Sequence, residues 1–349
     1  MQKKLLNIES KETLPWIEKY RPNKLDDVIS HSIIVETLNN FINNNELPHL
    51  LFHGPAGTGK TSAIMAVART LYKENYDVMT MEINASEERG IEVVRNRIMQ
   101  FANSKSMLFE NQSSAPFKLI ILDEADAMTL DAQASLRRVI EKYTNNVRFC
   151  LICNYIKKID VAIQSRCTCF RFAPLKMNYV KQKVYEILGK EKIKYTMGGV
   201  DTVVKRSNGD MRKVLNVLQS VSMAYDSIDE KNVDKCLGYP HKKDIVNILR
   251  NLVNDDFKNA YYILKEYKEE NGYSLTDIMV EVHDYLIEKL MTKNFNNKDE
   301  KINLSEEKIM NILKHLAKIE YNVANASDEI IQCGAFVSIF KVNHKHMAV

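Results

Sequence analysis

The stretch GPAGTGKT at residues 54–61, called the phosphate loop below, constrains this chain more than any other feature. Gly54 is followed by four residues and then by Gly59, Lys60 and Thr61, which is the spacing of a phosphate-binding loop. The glycines allow a tight turn with inward N–H groups, the lysine reaches phosphates and the threonine contacts Mg²⁺. HLLFH before the loop predicts a buried strand and TSAIMAVARTLY after it predicts a helix, so bound phosphates would lie at a helix N-terminus.

Composition limits the class of protein. The chain has 349 residues, 45% of them hydrophobic and 27% charged, which is enough for two or three folded domains. A net charge of +4 is too small to indicate a nucleic-acid partner by itself, so any basic surface would be local. No segment has the apolar length of a signal peptide or a membrane span, which predicts a soluble intracellular protein with reduced cysteines.

The six cysteines raise the alternative of a zinc site. Cys150 and Cys153 are separated by two residues, and Cys167 and Cys169 by one. Both pairs fall in strand-like segments, and side chains alternate between the faces of a strand, so Cys150 and Cys153 should point in opposite directions. We therefore expect these thiols to be small apolar side chains rather than metal ligands.

Strand-like and helix-like segments alternate over residues 1–175, which predicts an α/β domain with a parallel sheet covered by helices. The polar stretch at residues 110–116 predicts a loop before the third strand. The candidate strands are Leu50–Phe52, Val78–Ile83, Lys118–Leu122, Phe149–Cys153 and Thr168–Phe172.

Beyond Pro174 the sequence favours helices. Residues 176–238 predict a small helical domain, in which Gly198-Gly199 and Asn208-Gly209 are the expected breaks. Residues 241–349 predict a separate all-α domain, interrupted by an Asn-rich loop at 294–303. One helix there carries an apolar stripe of Leu275, Ile278, Met279, Val282, Leu286 and Leu290.

Asp123 and Glu124 end the apolar segment FKLIIL. Beside a phosphate loop, one carboxylate can bind Mg²⁺ and the next can act on an attacking water; Asp123 fits the first role and Glu124 the second. The letters DEAD at 123–126 also suggest a helicase. That class needs a second α/β domain with its own motifs, and the helical remainder of the chain offers none.

Three further polar residues are ambiguous when each is taken alone. Asn154 follows a predicted strand, where it could orient a water or contact a γ-phosphate, although asparagine there is more often a turn residue. Arg166 precedes a strand and Arg212 begins a helix. Either arginine could equally be a solvated charge or the partner in a surface ion pair.

Taken in order, the phosphate loop, the DEAD segment, Asn154, Arg166 and Arg212 resemble the motif set of AAA+ ATPases. PWIEKYRP at 15–22, NASEERGI at 84–91, QSRC at 164–167 and NGDMR at 208–212 narrow the resemblance. Together these motifs are similar to the small subunits of replication factor C, the AAA+ sliding-clamp loader. Residues 123–155 most resemble the subunit type that is counted fifth in human and third in budding yeast.

The resemblance implies that residues 1–175 form a RecA-like ATPase domain, 176–238 a helical lid and 241–349 a collar that assembles a hetero-pentamer. It also implies ATP and Mg²⁺ as cofactors, with Thr61 and Asp123 as the Mg²⁺ ligands. The nucleotide-binding residues would be Gly54, Pro55, Ala56, Gly57, Thr58, Gly59, Lys60, Thr61, Tyr20, Arg21, Pro22, Val28 and Arg212.

For catalysis, the resemblance makes Asp123 and Glu124 the hydrolytic carboxylates. Asn154 would be a first sensor of the γ-phosphate, and Arg212 a second sensor that reaches across from the lid. Arg166 would be an arginine finger offered to the ATP of the neighbouring subunit.

The same resemblance places primer–template DNA inside the assembly. Arg89, Arg95 and Arg97 surround a predicted helix start and are the candidate phosphate contacts, although by spacing alone a solvated basic face explains them equally well. The apolar residues that follow predict either a patch for the ring-shaped clamp, which we favour, or part of the core: Met99, Phe101, Met107, Leu108 and Phe109.

The expected function is to help open the sliding clamp PCNA and load it, driven by ATP, onto primer–template DNA during DNA replication and repair, within a hetero-pentamer in the nucleus. One competing function is a scaffold subunit that binds ATP without hydrolysing it, which the intact Glu124 argues against. Another is an AAA+ ATPase that remodels proteins, but the aromatic pore-loop segment typical of that class is missing after the second predicted strand.

Overall fold

A computed structural model describes residues 14–86, 91–103, 117–292, 296–297, 302–325 and 328–341. The chain divides into two compact units, Met1–Ser227 and Ile228–Val349. The finer domain limits expected at residues 175/176 and 238/241 stay predictions. No helix among the described residues is long and apolar enough to cross a membrane.

The first unit is built around a five-stranded parallel sheet with the order β2-β3-β4-β1-β5. Leu151 of β4 lies beside Leu51 of β1 and Leu122 of β3, so the carboxyl ends of these three strands share one edge. The phosphate loop follows β1 at that edge, where ligands of such sheets bind. The strands are β1 (Leu50–His53), β2 (Thr80–Asn84), β3 (Lys118–Asp123), β4 (Val147–Cys153) and β5 (Thr168–Arg171).

Alternate residues of the central strands enter two different cores. Phe52 and Cys150 lie in one core, which also contains residues of the helix Lys60–Tyr72. Leu51 and Cys153 lie in the other, which contains residues of the helix Leu130–Tyr143. Because the sheet is covered on both faces, its central strands are nearly continuous apolar runs. Cys150 and Cys153 therefore point in opposite directions, as the strand alternation predicts.

Ten α-helices are described in the first unit, and those expected after Pro174 are present. Two-residue strands at Lys194–Tyr195 and Ser227–Ile228 are additions to the predicted helices. The helix bounds are Trp16–Lys19, Ser32–Asn43, Lys60–Tyr72, Tyr76–Met79, Ile91–Asn103, Leu130–Tyr143, Val161–Gln164, Met177–Glu191, Met197–Ser207 and Met211–Ala224.

The start of the second predicted strand is wrong. Val78 and Met79 lie in the short helix Tyr76–Met79, and β2 begins only at Thr80. Met79 is 2% exposed and Val78 is 52% exposed. The helical turn thus buries one of the two apolar side chains, as a strand would also do. A short apolar run in the sequence therefore does not distinguish a helical turn from a strand.

The helix expected to start with Gly198-Gly199 is present and begins one residue earlier, at Met197. Both glycines lie in the first turn of the helix Met197–Ser207, where the hydroxyl of Thr196 accepts a 3.0 Å hydrogen bond from the backbone N–H of Gly199. This cap offsets the low helix propensity of glycine. The second expected break is confirmed, because Asn208 ends this helix in the left-handed conformation with φ 49°.

The second unit is mainly helical, with one core formed by its helices. The predicted apolar stripe is confirmed: its first five members are buried, and Leu290 packs against the same core. The Asn-rich segment is not only loop, since Asn296–Asn297 pairs with Ile302–Asn303 in a short antiparallel ladder. The helices are Glu230–Leu237, Lys242–Asn254, Phe257–Asn271, Leu275–Thr292, Glu306–Ala324 and Glu329–Lys341.

Candidate active site

The phosphate loop connects β1 to the helix that begins at Lys60. Gly54 and Gly57 have positive φ angles of 143° and 68°. A Cβ atom at Gly54 would lie 2.0 Å from the carbonyl oxygen of Phe172, and one at Gly57 would lie 1.7 Å from Oδ1 of Asp210. Only glycine fits these two positions, because both the backbone conformation and the close packing exclude a side chain.

Lys60 is buried at the start of this helix, with 7% of its surface exposed. Its Nζ donates hydrogen bonds to the carbonyl oxygens of Gly54 (2.7 Å) and Pro55 (2.9 Å), and to Oδ1 of Asn154 (3.0 Å). Burial lowers the pKa of the Lys60 ammonium group below its usual value, and the charge of Asp123 opposes this shift. A cation held at a helix N-terminus is a strong partner for a phosphate group.

Thr61 and Asp123 come together between the phosphate loop and the end of β3. Oγ1 of Thr61 donates a 2.8 Å hydrogen bond to Oδ2 of Asp123. Oxygen atoms are the ligands that Mg²⁺ prefers, and this ion commonly takes only one or two carboxylates together with substrate phosphates. The hydroxyl and the carboxylate therefore fit a Mg²⁺ ion that is shared with a nucleotide.

Glu124 follows directly and holds an unusual backbone conformation. Its φ of 54° is left-handed, and its backbone N–H donates a 2.8 Å hydrogen bond to Oδ1 of Asp123. A left-handed conformation outside glycine costs about 1–3 kcal/mol and is found mostly at functional positions. The exposed Glu124 lines the same pocket as Asp123, so its carboxylate is accessible to water.

Asn154, at the end of β4, is positioned by a residue that the sequence reasoning missed. Oδ2 of Asp126 accepts hydrogen bonds from the backbone N–H groups of Asn154 (3.2 Å) and Tyr155 (3.1 Å). Asp126 thus ties the segment after β3 to the end of β4 and directs Asn154 toward Lys60. Its place as the last letter of DEAD is the only sequence signal that could have identified it.

The pocket beside the phosphate loop is also lined by Arg212 and by the predicted adenine-binding residues, which are Tyr20, Arg21, Pro22 and Val28. Arg212 is the second residue of the helix Met211–Ala224, and its backbone N–H donates a 2.8 Å hydrogen bond to Oδ1 of Asp210. The backbone N–H of Met211 donates to the carbonyl oxygen of Gly57 at 3.1 Å. The bond between Met211 and Gly57 fastens the start of the helix directly to the phosphate loop.

Lys183 is a second cation that lines the pocket from the helical segment after Pro174. Its Nζ is 2.8 Å from Oε2 of Glu186, and 20% of its side chain is exposed. The sequence reasoning missed it, because one lysine in an amphipathic helix carries no signal.

Arg166 does not line this pocket. Its Nη2 lies 2.7 Å from Oε1 of Glu141, and its Nη1 donates a 2.7 Å hydrogen bond to the carbonyl oxygen of Ala162. The side chain stays 39% exposed. The predicted nucleotide and catalytic residues of this chain line one pocket, except Arg166 and the loop residues Gly54 and Pro55, whose carbonyl oxygens instead accept hydrogen bonds from Lys60.

The predicted DNA contacts are only partly within the described residues. Arg89 lies outside them, and Arg95 belongs to the helix Ile91–Asn103 with an undescribed side chain. Arg97 is exposed on that helix. Of the proposed clamp patch, Met99 and Phe101 are half-buried against the core of the first unit, which corrects the expectation of an exposed patch for these two. Residues 107–109 lie outside the described residues.

Comparison with family models gives two matches. A model described as "ATPase family associated with various cellular activities (AAA)" matches residues 50–175. A model described as "Replication factor C C-terminal domain" matches residues 240–338. The two matches cover the sheet with the phosphate loop and most of the helical second unit.

Several curated proteins are similar over nearly the whole chain. Probable replication factor C subunit 5 of Dictyostelium discoideum is 46% identical to this chain, and the alignment covers 95% of this chain and 92% of that protein. Replication factor C subunit 5 of Homo sapiens is 44% identical, over 94% of this chain and 92% of that protein. Replication factor C subunit 3 of Saccharomyces cerevisiae is 41% identical, over 97% of this chain and 96% of that protein. The expected resemblance to this subunit type is confirmed.

Among solved structures, the Thermotoga maritima RuvB Holliday junction branch migration motor aligns with a TM-score of 0.50 at 15% identity. The alignment covers 82% of this chain and 96% of that one. At this identity the likeness supports the fold alone, and that fold is the expected AAA+ type.

Proposed function

Because this chain belongs to the replication factor C subunit family of AAA+ ATPases, we propose that it binds ATP with Mg²⁺ and uses hydrolysis to help load PCNA onto primer–template DNA. Its partners would be the other replication factor C subunits in a hetero-pentamer, in the nucleus. The observation that carries the proposal is the convergence of the phosphate loop, Asp123, Glu124, Asn154 and Arg212 around one pocket.

Binding would begin with the phosphates. Lys60 now bonds to two carbonyl oxygens and to Asn154, and it would turn its charge to the terminal phosphates of ATP. Tyr20, Pro22 and Val28 form a partly apolar wall suited to the adenine ring. Arg212 would add a second charge from the helix that is bonded to Gly57.

Hydrolysis would use the carboxylates at the end of β3. Thr61 and Asp123 would hold Mg²⁺, which would neutralise charge that develops on the phosphates. Glu124 would orient and deprotonate the attacking water, since its carboxylate is exposed beside Asp123. Asn154, held by Asp126, would contact the γ-phosphate and report its presence to β4.

Arg166 would act on another subunit. It lies outside the pocket of its own chain, and its exposed ion pair with Glu141 costs little to exchange for a phosphate. Arg89, Arg95 and Arg97 would contact DNA phosphates inside the assembly. The exposure of Arg97 supports this role for one of the three.

The test uses the reconstituted complex with its clamp. ATP hydrolysis should rise when both primed DNA and PCNA are added, and Glu124→Gln in this chain should lower it. Stimulation by an unfolded protein instead would favour a remodelling ATPase.

A second measurement addresses the scaffold alternative. In a complex whose other subunits carry alanine at their own phosphate-loop lysine, single-turnover hydrolysis reports only this chain. A burst of product from this chain supports an active ATPase. Bound but unhydrolysed ATP would identify a scaffold.

A further inference from the structure

The segment that lines the predicted adenine pocket is fastened to the helix Met177–Glu191, called the lid helix below. Oε1 of Glu191, at the end of the lid helix, lies 2.7 Å from Nζ of Lys19. The same oxygen accepts a hydrogen bond from the hydroxyl of Tyr20. Lys19, Tyr20 and Glu191, called the latch below, therefore join the first short helix of the described chain to the lid helix.

The latch is better shielded than an ordinary surface ion pair. Only 25% of the Lys19 side chain and 19% of the Glu191 side chain are exposed. Burial acts to raise the pKa of Glu191, yet the hydrogen bonds from Lys19 and Tyr20 hold it below its usual value. The carboxylate thus stays charged, and charged hydrogen bonds are about twice as strong as neutral ones.

Tyr20 takes part in two contacts at once, because it lines the nucleotide pocket and also donates its hydroxyl to Glu191. Nearby, the backbone N–H of Trp16 donates a 3.0 Å hydrogen bond to Oε1 of Gln219 on the helix Met211–Ala224. At the phosphate end of the pocket, Met211 bonds to Gly57. The helical segment after Pro174 is therefore attached to both ends of the pocket wall, and its movement away from the adenine end must break the latch.

We propose that the latch holds the lid helix against the adenine end of the pocket and thereby slows nucleotide release. Glu191 is then a positioning residue, because it acts through Tyr20. The inference rests on the proposed function, since only a bound nucleotide can be retained.

The experiment measures release of a fluorescent ADP, N-methylanthraniloyl-ADP, from the full chain by stopped flow against excess unlabelled ADP. Glu191→Gln keeps an acceptor oxygen for Tyr20 but removes the charge that pairs with Lys19. Release should accelerate about 5- to 30-fold, the range expected when a partly shielded charged hydrogen bond is weakened. Tyr20→Phe removes only the hydroxyl and should act in the same direction.

Asp201→Asn is the matched control. Oδ1 of Asp201 lies 2.7 Å from Nζ of Lys181, so this variant breaks an ion pair of the same length. Both partners belong to helices after Pro174, and neither lines the nucleotide pocket. The release rate and the association rate of this control should both equal those of the wild type.

The double variant Tyr20→Phe/Glu191→Gln separates the latch from general loosening. If the two side chains act through their shared contact, the double variant releases ADP no faster than the more affected single variant. Fully multiplicative effects, or wild-type release from both single variants, overturn the latch and leave the proposed function standing. A wild-type chain that fails to bind the fluorescent ADP overturns both. Circular dichroism checks that Glu191→Gln is folded. If it is not, Tyr20→Phe alone is the test, and a wild-type rate of ADP release from Tyr20→Phe overturns the latch.

Discussion

Arg212 and Arg166 show how differently two parts of the first unit use a cation. Arg212 lines the nucleotide pocket, and the first residue of its helix, Met211, is hydrogen-bonded to Gly57 of the phosphate loop. Arg166 lies outside that pocket, paired with Glu141 at 2.7 Å and 39% exposed. We infer that the pocket holds the groups that binding requires, while Arg166 is available to a nucleotide bound elsewhere.

The largest effect is expected for Arg166→Ala, which tests most directly whether Arg166 and Arg212 act on different nucleotides. In the assembled complex, Arg166→Ala should slow hydrolysis of the neighbour's ATP by about 10³- to 10⁵-fold, the usual contribution of an arginine finger. It should leave this chain's own site unchanged, and the isolated chain should bind ATP but hydrolyse it slowly. Lysine should rescue poorly, because it lacks the planar guanidinium fork.

Site-resolved single-turnover hydrolysis measures this effect. Glu141→Gln is the control, since it removes the ion pair and keeps Arg166; it should change the neighbour's rate by at most about fivefold. Slower hydrolysis at this chain's own site, with a normal neighbour, would mean that Arg166 acts in its own subunit.

Glu124→Gln, unlike Arg166→Ala, should affect hydrolysis at this chain's own ATP site. Turnover of this chain's own ATP should fall by about 10²- to 10⁴-fold, as for loss of a general base, while ATP affinity is retained because Lys60 and Asp123 are unchanged. Single-turnover hydrolysis and equilibrium binding measure the two quantities. Asp131→Asn, which alters an exposed carboxylate outside the pocket, is the control. Normal turnover in Glu124→Gln would rule out this residue as the base.

Lys60→Ala should weaken ATP binding by about 30- to 5000-fold, the range for removing one member of a buried charge pair. The fold should persist, because Lys60 contacts loop carbonyls and Asn154 rather than the hydrophobic core. Calorimetric titration gives the affinity, and thermal melting without nucleotide checks the fold. Lys142→Ala, at an exposed helix position, is the matched variant and should bind normally. Unchanged affinity in Lys60→Ala contradicts the proposed phosphate contact.

The smallest effect is expected for Asp126→Asn. The amide oxygen can still accept hydrogen bonds from Asn154 and Tyr155 but without the charge, so turnover at this site should fall about five- to twentyfold. Asp160→Asn is the control, because Oδ1 of Asp160 also accepts a backbone hydrogen bond, from Ala162 at 2.9 Å, outside the pocket. Equal effects of the two variants would show that Asp126 stabilises the fold and does not position Asn154.

The sheet and the phosphate loop were predictable because their signals are local. A strand buried on both faces is a continuous apolar run, and Gly54 and Gly57 are required by the backbone of a single turn. The boundary error at Val78 has a different cause. Burial of Met79 in the core within a short helical turn overrode the strand preference of the segment.

The sequence by itself determined which residue types are available for phosphate, Mg²⁺ and water, and it predicted their roles, because that chemistry depends on residue type and short spacing. Only the tertiary structure decided which distant residues join them. Tyr20 and Glu191 are 171 positions apart and meet only because the folded chain brings their two segments together. The same packing separates Arg166 from the pocket and places Lys183 beside it. Such contacts follow from burial between remote segments, which no periodicity within either segment records.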